Sequence, residues 1–296
     1  MTLPEDHTGW KEHISQAMAE NDGLAWYALV DPCSDKRLPA KLWELQDNPD
    51  IVPLFMNTVI LESSMSGPLF VPLQASSPLT EWLLSESAHV PIGIFYGVEK
   101  SAASALFEHL QNLLECRLPG GAAGIFRFYD PRVLYAVVKG ENDGWSNYVV
   151  GQAAVVHAWE PGCRQPLILA APGWVLEEEG REIDQELLDD ISIHTSPYAV
   201  IASMRGERGE ALRAMPLPEA YAYVRGVCDS IASMGIPYLQ DFVVGTSLAM
   251  QLGSNIFADE YIRGIVMARE EKETLLDVMR RVPDAYLERF PEIGKA

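Results

Sequence analysis

The sequence predicts an α/β N-terminal lobe, with a mixed sheet and covering helices, followed by a mostly α-helical C-terminal lobe. Strand-like and helix-like segments alternate in the first half, which is typical of an α/β fold. Val90–Tyr96 is almost entirely apolar, as expected of a strand covered on both faces. Beyond the acidic run Glu177–Glu182 the helical period dominates. We therefore predict domains at residues 1–176 and 183–296.

Charge and composition limit the possible partners. The chain has 296 residues, and its 42 acidic against 22 basic residues give a net charge of -20. Such a charge repels nucleic acid phosphates and anionic lipids, so neither a nucleic acid nor a membrane is an expected partner. We attribute the excess of acidic residues to a requirement for solubility. The alternative explanation is that the protein binds a basic cargo.

The cysteines and the N-terminus indicate a reducing, cytoplasmic location. Cys33, Cys116, Cys163 and Cys228 are widely spaced and form no CxxC pair, so we expect free thiols. A secretory signal has a basic segment followed by an apolar one, and the first residues of this sequence lack that pattern. No uncharged run is apolar enough for a membrane span.

Start and stop signals divide the first half into elements. Asn21-Asp22-Gly23 ends a first helix that begins after Thr8, and Ser77-Pro78 supplies an N-cap and a first-turn proline for another. Pro39 starts a short helix, and Pro119-Gly120-Gly121 is predicted to end a longer one. That longer helix is Ser101–Cys116, and the predicted strands are Leu24–Val30, Ile51–Phe55, Asn57–Leu61, Leu69–Leu73 and Val90–Tyr96.

The stretch Gly124–Leu134 is the most informative part of the sequence. Its aromatic and β-branched residues predict a strand that stops at Tyr129, because Asp130-Pro131 is a breaker. Arg127 and Arg132 flank Asp130 closely enough for its carboxylate to accept hydrogen bonds from one or both. This pattern predicts a rigid corner at the end of a strand. A second carboxylate, Asp31, is also predicted to follow a strand.

The remaining segments complete the two lobes. The first lobe is predicted to end with strands, and the second is predicted to be a small helical bundle. The strands are Val133–Val138, Tyr148–Trp159 and Pro166–Ala171, and the helices start at Pro218, Leu239, Asp259, Lys272 and Pro283.

The sequence contains no complete catalytic, cofactor-binding or metal-binding pattern, so we expect no catalytic residues, no cofactor and no metal. Gly245-Thr-Ser247-Leu-Ala249 lacks the second glycine of a nucleophile elbow, and no histidine follows it. The six histidines never adopt a short ligand spacing. Gly120–Gly124 lies between a helix and a strand, the reverse of a phosphate-binding loop.

The phrase FRFYDPRVL, together with the preceding LPGGAAG and the early WYALVDP, resembles the N-terminal lobe of the type VI secretion effector chaperones, or adaptors. That lobe has been catalogued as a domain of unknown function, and the resemblance covers roughly the first half of the chain. It implies a cytoplasmic bacterial protein that binds an effector toxin, through an N-terminal or PAAR-linked segment, and helps load it onto the VgrG spike. It also implies that Arg127, Tyr129, Asp130, Arg132 and Asp31 form or shape a partner-binding corner.

Two functional hypotheses follow. The first is a non-enzymatic adaptor, for which the corner is either a contact surface or a structural brace. The alternative is an α/β hydrolase-like or nucleotide-handling enzyme of unknown substrate, which would need polar groups that converge in a pocket.

The acidic run between the predicted lobes leads to a first testable prediction. We expect limited proteolysis to cut first between Glu177 and Arg181, because an acidic, glycine-containing stretch between two domains is typically exposed. Mass spectrometry of the first fragments checks this. First cleavage inside Ser101–Cys116 would contradict the predicted boundary.

Overall fold

The computed structural model describes residues 7–45, 50–56, 58, 67–139, 143–170, 182–270 and 272–290. The chain forms two compact units, Met1–Ile191 and Ser192–Ala296. Of the predicted linker Glu177–Glu182, only Glu182 lies within the described residues. The domain limits at 176 and 183 therefore stay a prediction.

The first unit is built on a six-stranded sheet. The strand order is β2-β3-β1-β4-β7-β8, every pairing of neighbours is antiparallel, and β5 and β6 form a separate hairpin. The strands are β1 (Leu24–Val30), β2 (Val52–Pro53), β3 (Leu69–Leu73), β4 (Gly93–Glu99), β5 (Glu115–Arg117), β6 (Ala123–Ile125), β7 (Val155–Glu160) and β8 (Gln165–Ala170).

Helices cover both faces of this sheet. They are α1 (His7–Glu20), α2 (Leu38–Leu45), α3 (Pro78–Ser87), α4 (Ala103–Asn112), α5 (Pro131–Lys139) and α6 (Asp143–Val150). Side chains alternate along β1, so Trp26 and Ala28 pack with α1, α2 and α3, whereas Leu29 packs with α4, α5 and α6. The prediction of a sheet buried on both faces by helices is confirmed.

Local signals explain where several of these elements begin and end. The Oγ of Ser77 accepts a hydrogen bond from the N–H of Thr80 and caps α3, as predicted. α1 ends where Asn21-Asp22-Gly23 predicted, and β1, β3 and β8 match the predicted strands within one residue. Of the predicted strand Asn57–Leu61, only Thr58 is described.

The prediction of a strand up to Tyr129 is wrong. β6 ends at Ile125, residues 127–130 form a turn closed by a hydrogen bond from the N–H of Asp130 to the carbonyl of Arg127 (3.0 Å), and α5 begins at Pro131. The aromatic residues of this stretch lie in a loop, and their side chains are buried in the core: Phe126 is 3% exposed and Phe128 is fully buried. Their strand propensity reflected burial and not extended backbone.

Three neighbouring predictions are also corrected. Val133–Val138 lies in α5 and is not a strand; the run contains no polar residue that would show the helical period, because the polar residues of α5, Arg132 and Lys139, flank it. Tyr148–Val150 belongs to α6, so the predicted strand begins only at Val155. The helix predicted to reach Cys116 ends at Asn112, and Gly120 and Gly121, both with φ of +83°, turn the β5–β6 hairpin instead of ending that helix.

The second unit is helical, as predicted. Its core contains apolar side chains from α9 to α12, among them Val224, Ile231, Ala249 and Val278. No helix in the described part of the chain is both long and apolar enough to cross a membrane. The helices from residue 185 onward are α7 (Gln185–Ser203), α8 (Gly206–Ala214), α9 (Leu217–Ala232), α10 (Leu239–Leu252), α11 (Glu260–Met267), α12 (Leu275–Met279) and α13 (Asp284–Leu287).

Candidate functional site: an arginine–aspartate corner

Asp31 is fixed at the end of the central strand β1. Its backbone N–H donates to the carbonyl of Ile92, 3.0 Å away, and its Oδ1 accepts from the N–H of Cys33 at 2.9 Å. The residue is only 4% exposed. The Asp31-Pro32 pair ends the strand because proline cannot donate to the ladder, and the carboxylate is left at the edge of the core.

Arg127 joins this strand end to the turn before α5. Its Nη2 donates to Oδ2 of Asp31 at 2.6 Å and lies 3.8 Å from Oδ2 of Asp130. Asp31 and Arg127 are 96 residues apart in the sequence. One guanidinium therefore connects two buried carboxylates from different elements.

Asp130 has two roles in the corner. Its Oδ1 accepts a hydrogen bond from the backbone N–H of Arg132 at 3.0 Å, which is the contact made by a helix N-cap, and Pro131 occupies the first helical position. The same carboxylate accepts from Arg132 Nε at 2.8 Å and Nη2 at 2.6 Å. This bidentate pair and the cap both depend on a side chain that is 4% exposed.

Tyr129 completes the corner. It is 5% exposed, and the Arg127 guanidinium lies 5.8 Å from its ring centroid. Burial raises the pKa of Tyr129 to about 12, although the Arg127 charge opposes this, so the hydroxyl stays protonated at neutral pH. Burial also lowers the pKa of Arg127, but the carboxylates of Asp130 and Asp31 outweigh burial and raise it overall.

We name Asp31, Arg127, Tyr129, Asp130 and Arg132 the Arg–Asp corner. All five predicted partner-binding residues are thus brought together, and the corner lies at a helix start and not at the predicted strand end. Its two carboxylates and two guanidiniums balance in charge. The side chain of Arg127 is 49% exposed and that of Arg132 is 23% exposed. Guanidinium N–H groups therefore reach the surface, while the carboxylates that hold them are buried.

The exposed arginines of this arrangement are suited to binding polar groups of another molecule. A guanidinium held by buried carboxylates presents its remaining N–H groups in a fixed direction, which suits hydrogen bonding to carbonyl or carboxylate oxygens of a partner. Arginine does not lose its proton at neutral pH, so Arg127 and Arg132 remain hydrogen-bond donors. Arginine and tyrosine are also enriched in protein interfaces.

Other candidate groups are placed in helices or loops. Ser247 lies inside α10, where its Oγ accepts a hydrogen bond from Arg208 at 2.8 Å, so it is not at a strand-to-helix elbow.

A surface cleft of about 470 Å³ lies at the start of β1. It is lined by Met18, Asp22, Trp26, Tyr27, Gln74 and Lys100, among others, and by none of the corner residues.

Sequence reasoning missed the contact between Arg127 and Asp31. Asp31 was predicted to follow one strand and Arg127 to lie within another that stops at Tyr129, and nothing local indicated that they meet. The available signal was Asp130-Pro131, which marks an N-cap and a first-turn proline as well as a breaker.

Comparison with known proteins finds a family match for part of the chain. No curated protein and no solved structure matches the chain. Residues 26–144, which include the whole Arg–Asp corner, match the family described as "Domain of unknown function (DUF4123)".

Proposed function

We propose that this protein is a non-enzymatic effector chaperone, or adaptor, of type VI secretion. It binds an effector toxin in the cytoplasm and helps load it onto the VgrG spike, and the Arg–Asp corner is part of the partner-binding surface. The observation that carries the proposal is the DUF4123 match over residues 26–144, a family known in type VI effector adaptors.

The chemistry of the corner supports a binding role. Its half-exposed guanidinium rests on carboxylates that are almost completely buried, so partner contact needs little rearrangement of Arg127. Burial of an ordered arginine with an aromatic neighbour is typical of residues that dominate an interface. The effector, through its N-terminal or PAAR-linked segment, and the spike are the partners we propose.

The decisive experiment is affinity purification of the tagged protein from its native host. We expect stoichiometric recovery of a large effector and of a VgrG-type spike, identified by mass spectrometry and by the neighbouring genes. Recovery of a bound small molecule without a protein partner would contradict the adaptor and favour an enzyme.

A pair of matched variants assigns the partner to the corner. Arg127→Lys keeps the charge but loses the planar fork, so we expect it to lower partner recovery strongly at an unchanged melting temperature. Arg37→Lys is the control, because Arg37 is also about half exposed, pairs with two carboxylates, Asp35 and Glu86, and lies 5.9 Å from an aromatic ring. Equal recovery by both variants would show that the corner is not a contact surface.

A further inference from the structure

The sheet face beneath α1 contains a buried cluster of aromatic rings with two histidines. His13 of α1 and His157 of β7 have ring centroids 5.3 Å apart, and Trp26 of β1 lies 5.8 Å from His157. Trp10 stacks on His13 at 6.1 Å. His13 is 6% exposed and His157 is 3% exposed. Neither histidine belongs to the Arg–Asp corner.

Three nitrogen atoms in this cluster have no hydrogen-bond partner among the described residues. They are Nε2 of His13, Nδ1 of His157 and Nε1 of Trp26. The two other tryptophans of the cluster are satisfied: Trp10 donates to Ser87 Oγ and Trp159 donates to the carbonyl of Ala88. The unsatisfied nitrogens are therefore confined to the place where α1 meets the sheet, and buried polar groups of this kind are costly.

No carboxylate compensates the two imidazoles. Among the described residues, none of the charged side chains on the elements around them makes a hydrogen bond, an ion pair or a ring contact with either histidine. On α3, Glu81 pairs with Lys11 of α1 at 2.5 Å, and Glu86 pairs with Arg37. The remaining charged groups on these elements are Glu12 and Glu20 on α1, Glu99 on β4 and Glu160 on β7.

Helix α1 packs on the sheet without being part of it. It lies at the start of the described chain and contributes no strand, and it is held by a few buried side chains: Trp10, Ile14, Ala17 and Met18. His13 is the polar member of that buried face. We propose that His13 and His157 form an acid-sensitive anchor, which holds α1 on the sheet most strongly while both imidazoles are neutral.

The direction of the effect follows from proton linkage. Burial, and to a lesser extent the nearby His13, lowers the pKa of His157 to about 4, and burial lowers that of His13. An imidazole freed by detachment has an ordinary pKa of about 6.5. The free energy that holds α1 on the sheet is therefore greatest above about pH 6.5 and decreases as the pH falls from about 6.5 toward about 4. Below about pH 4, His157 is protonated in both states and causes no further decrease.

Hydrogen exchange tests the anchor on the full chain. After correction for intrinsic exchange rates, we expect the opening equilibrium of the α1 amides to rise roughly 25-fold between about pH 7 and about pH 5 from His157 alone, while β1 and β4 stay protected. His157→Phe, which fits the aromatic surroundings, should remove most of this rise. His13→Phe should independently reduce the pH-dependent rise. If His157→Phe does not fold, the His13→Phe variant is used for the test.

A third histidine provides the control. His109 on α4 covers the opposite face, has a pKa lowered by burial, and contacts the carbonyl of Tyr148 at 2.7 Å. His109→Gln should leave the pH dependence of α1 unchanged. The same rise in wild type, His157→Phe and His13→Phe would overturn the anchor, as would a simultaneous loss of protection in α1, β1 and β4.

Discussion

Asp130→Ala is expected to lower the free energy of unfolding of the first unit by about 3 kcal/mol or more. The side chain is 4% exposed and holds Arg132 through both oxygens, with Arg127 nearby. Its removal leaves the partly buried guanidinium of Arg132 without its carboxylate, while Arg127 keeps Asp31, and it also removes the cap of α5. Loss of a cap alone costs about 1 kcal/mol. Urea unfolding, followed by tryptophan fluorescence, measures the change.

Two variants separate the components of this loss. Asp130→Asn keeps a good capping side chain but removes the charge, so its cost should lie below that of alanine. Asp229→Ala is the matched control in the second unit, because Asp229 also accepts from an arginine, Arg225, at 2.8 Å but is 53% exposed. We expect this control to cost well under about 1 kcal/mol.

The comparison also separates a brace from a contact surface. The corner has both roles, brace and contact surface, if two results are obtained. Asp130→Ala must greatly lower the free energy of unfolding, and Arg127→Lys must fold normally but fail to bind its partner. If Asp130→Ala cost no more than Asp229→Ala, the buried pair would not stabilise the fold. The structural part of the corner would then be refuted, while the binding test with Arg127→Lys would stand.

The sequence was sufficient for the architecture because the signals involved are local. Ser77-Pro78 fixes the start of α3 with a cap and a first-turn proline, and Asn21-Asp22-Gly23 ends α1. The nearly all-apolar β4 indicated a sheet covered on both faces, and the structure confirms this. Each of these predictions depends on residues within one turn or one strand.

The corner was predicted only in part, for physical reasons that differ between its residues. Arg127, Asp130 and Arg132 are close in sequence, so their ion pairs could be anticipated. The contact of Arg127 with Asp31 spans 96 residues and depends on the tertiary fold. The helix after Asp130 was mistaken for a strand because Val133–Val138 is an unbroken apolar run, and Arg132 and Lys139, which mark the polar side of α5, lie outside that run.

Co-expression with the effector that we propose as its client is expected to show the second large effect. We expect this protein to raise the soluble level of the client several-fold and to show no turnover of generic ester, phosphate or glycoside substrates. An unloaded effector that exposes apolar surface aggregates unless a partner covers that surface. A client bound to a chain with a net charge of -20 gains a strongly charged, soluble partner. Sedimentation and quantitative blotting of the supernatant measure the effect.

The same assay connects solubility to the corner. Arg127→Lys should lose the solubilising effect while Arg37→Lys retains it, because the two arginines are matched in exposure and in carboxylate partners. Rescue by both variants would show that the client is held by another surface of the chain. Equal client solubility with and without the wild-type protein, together with no co-purification, would remove the chaperone function. A hydrolytic or nucleotide-handling activity would then be the remaining hypothesis, and it would have to use residues that no sequence motif marks, since Ser247 lies within α10.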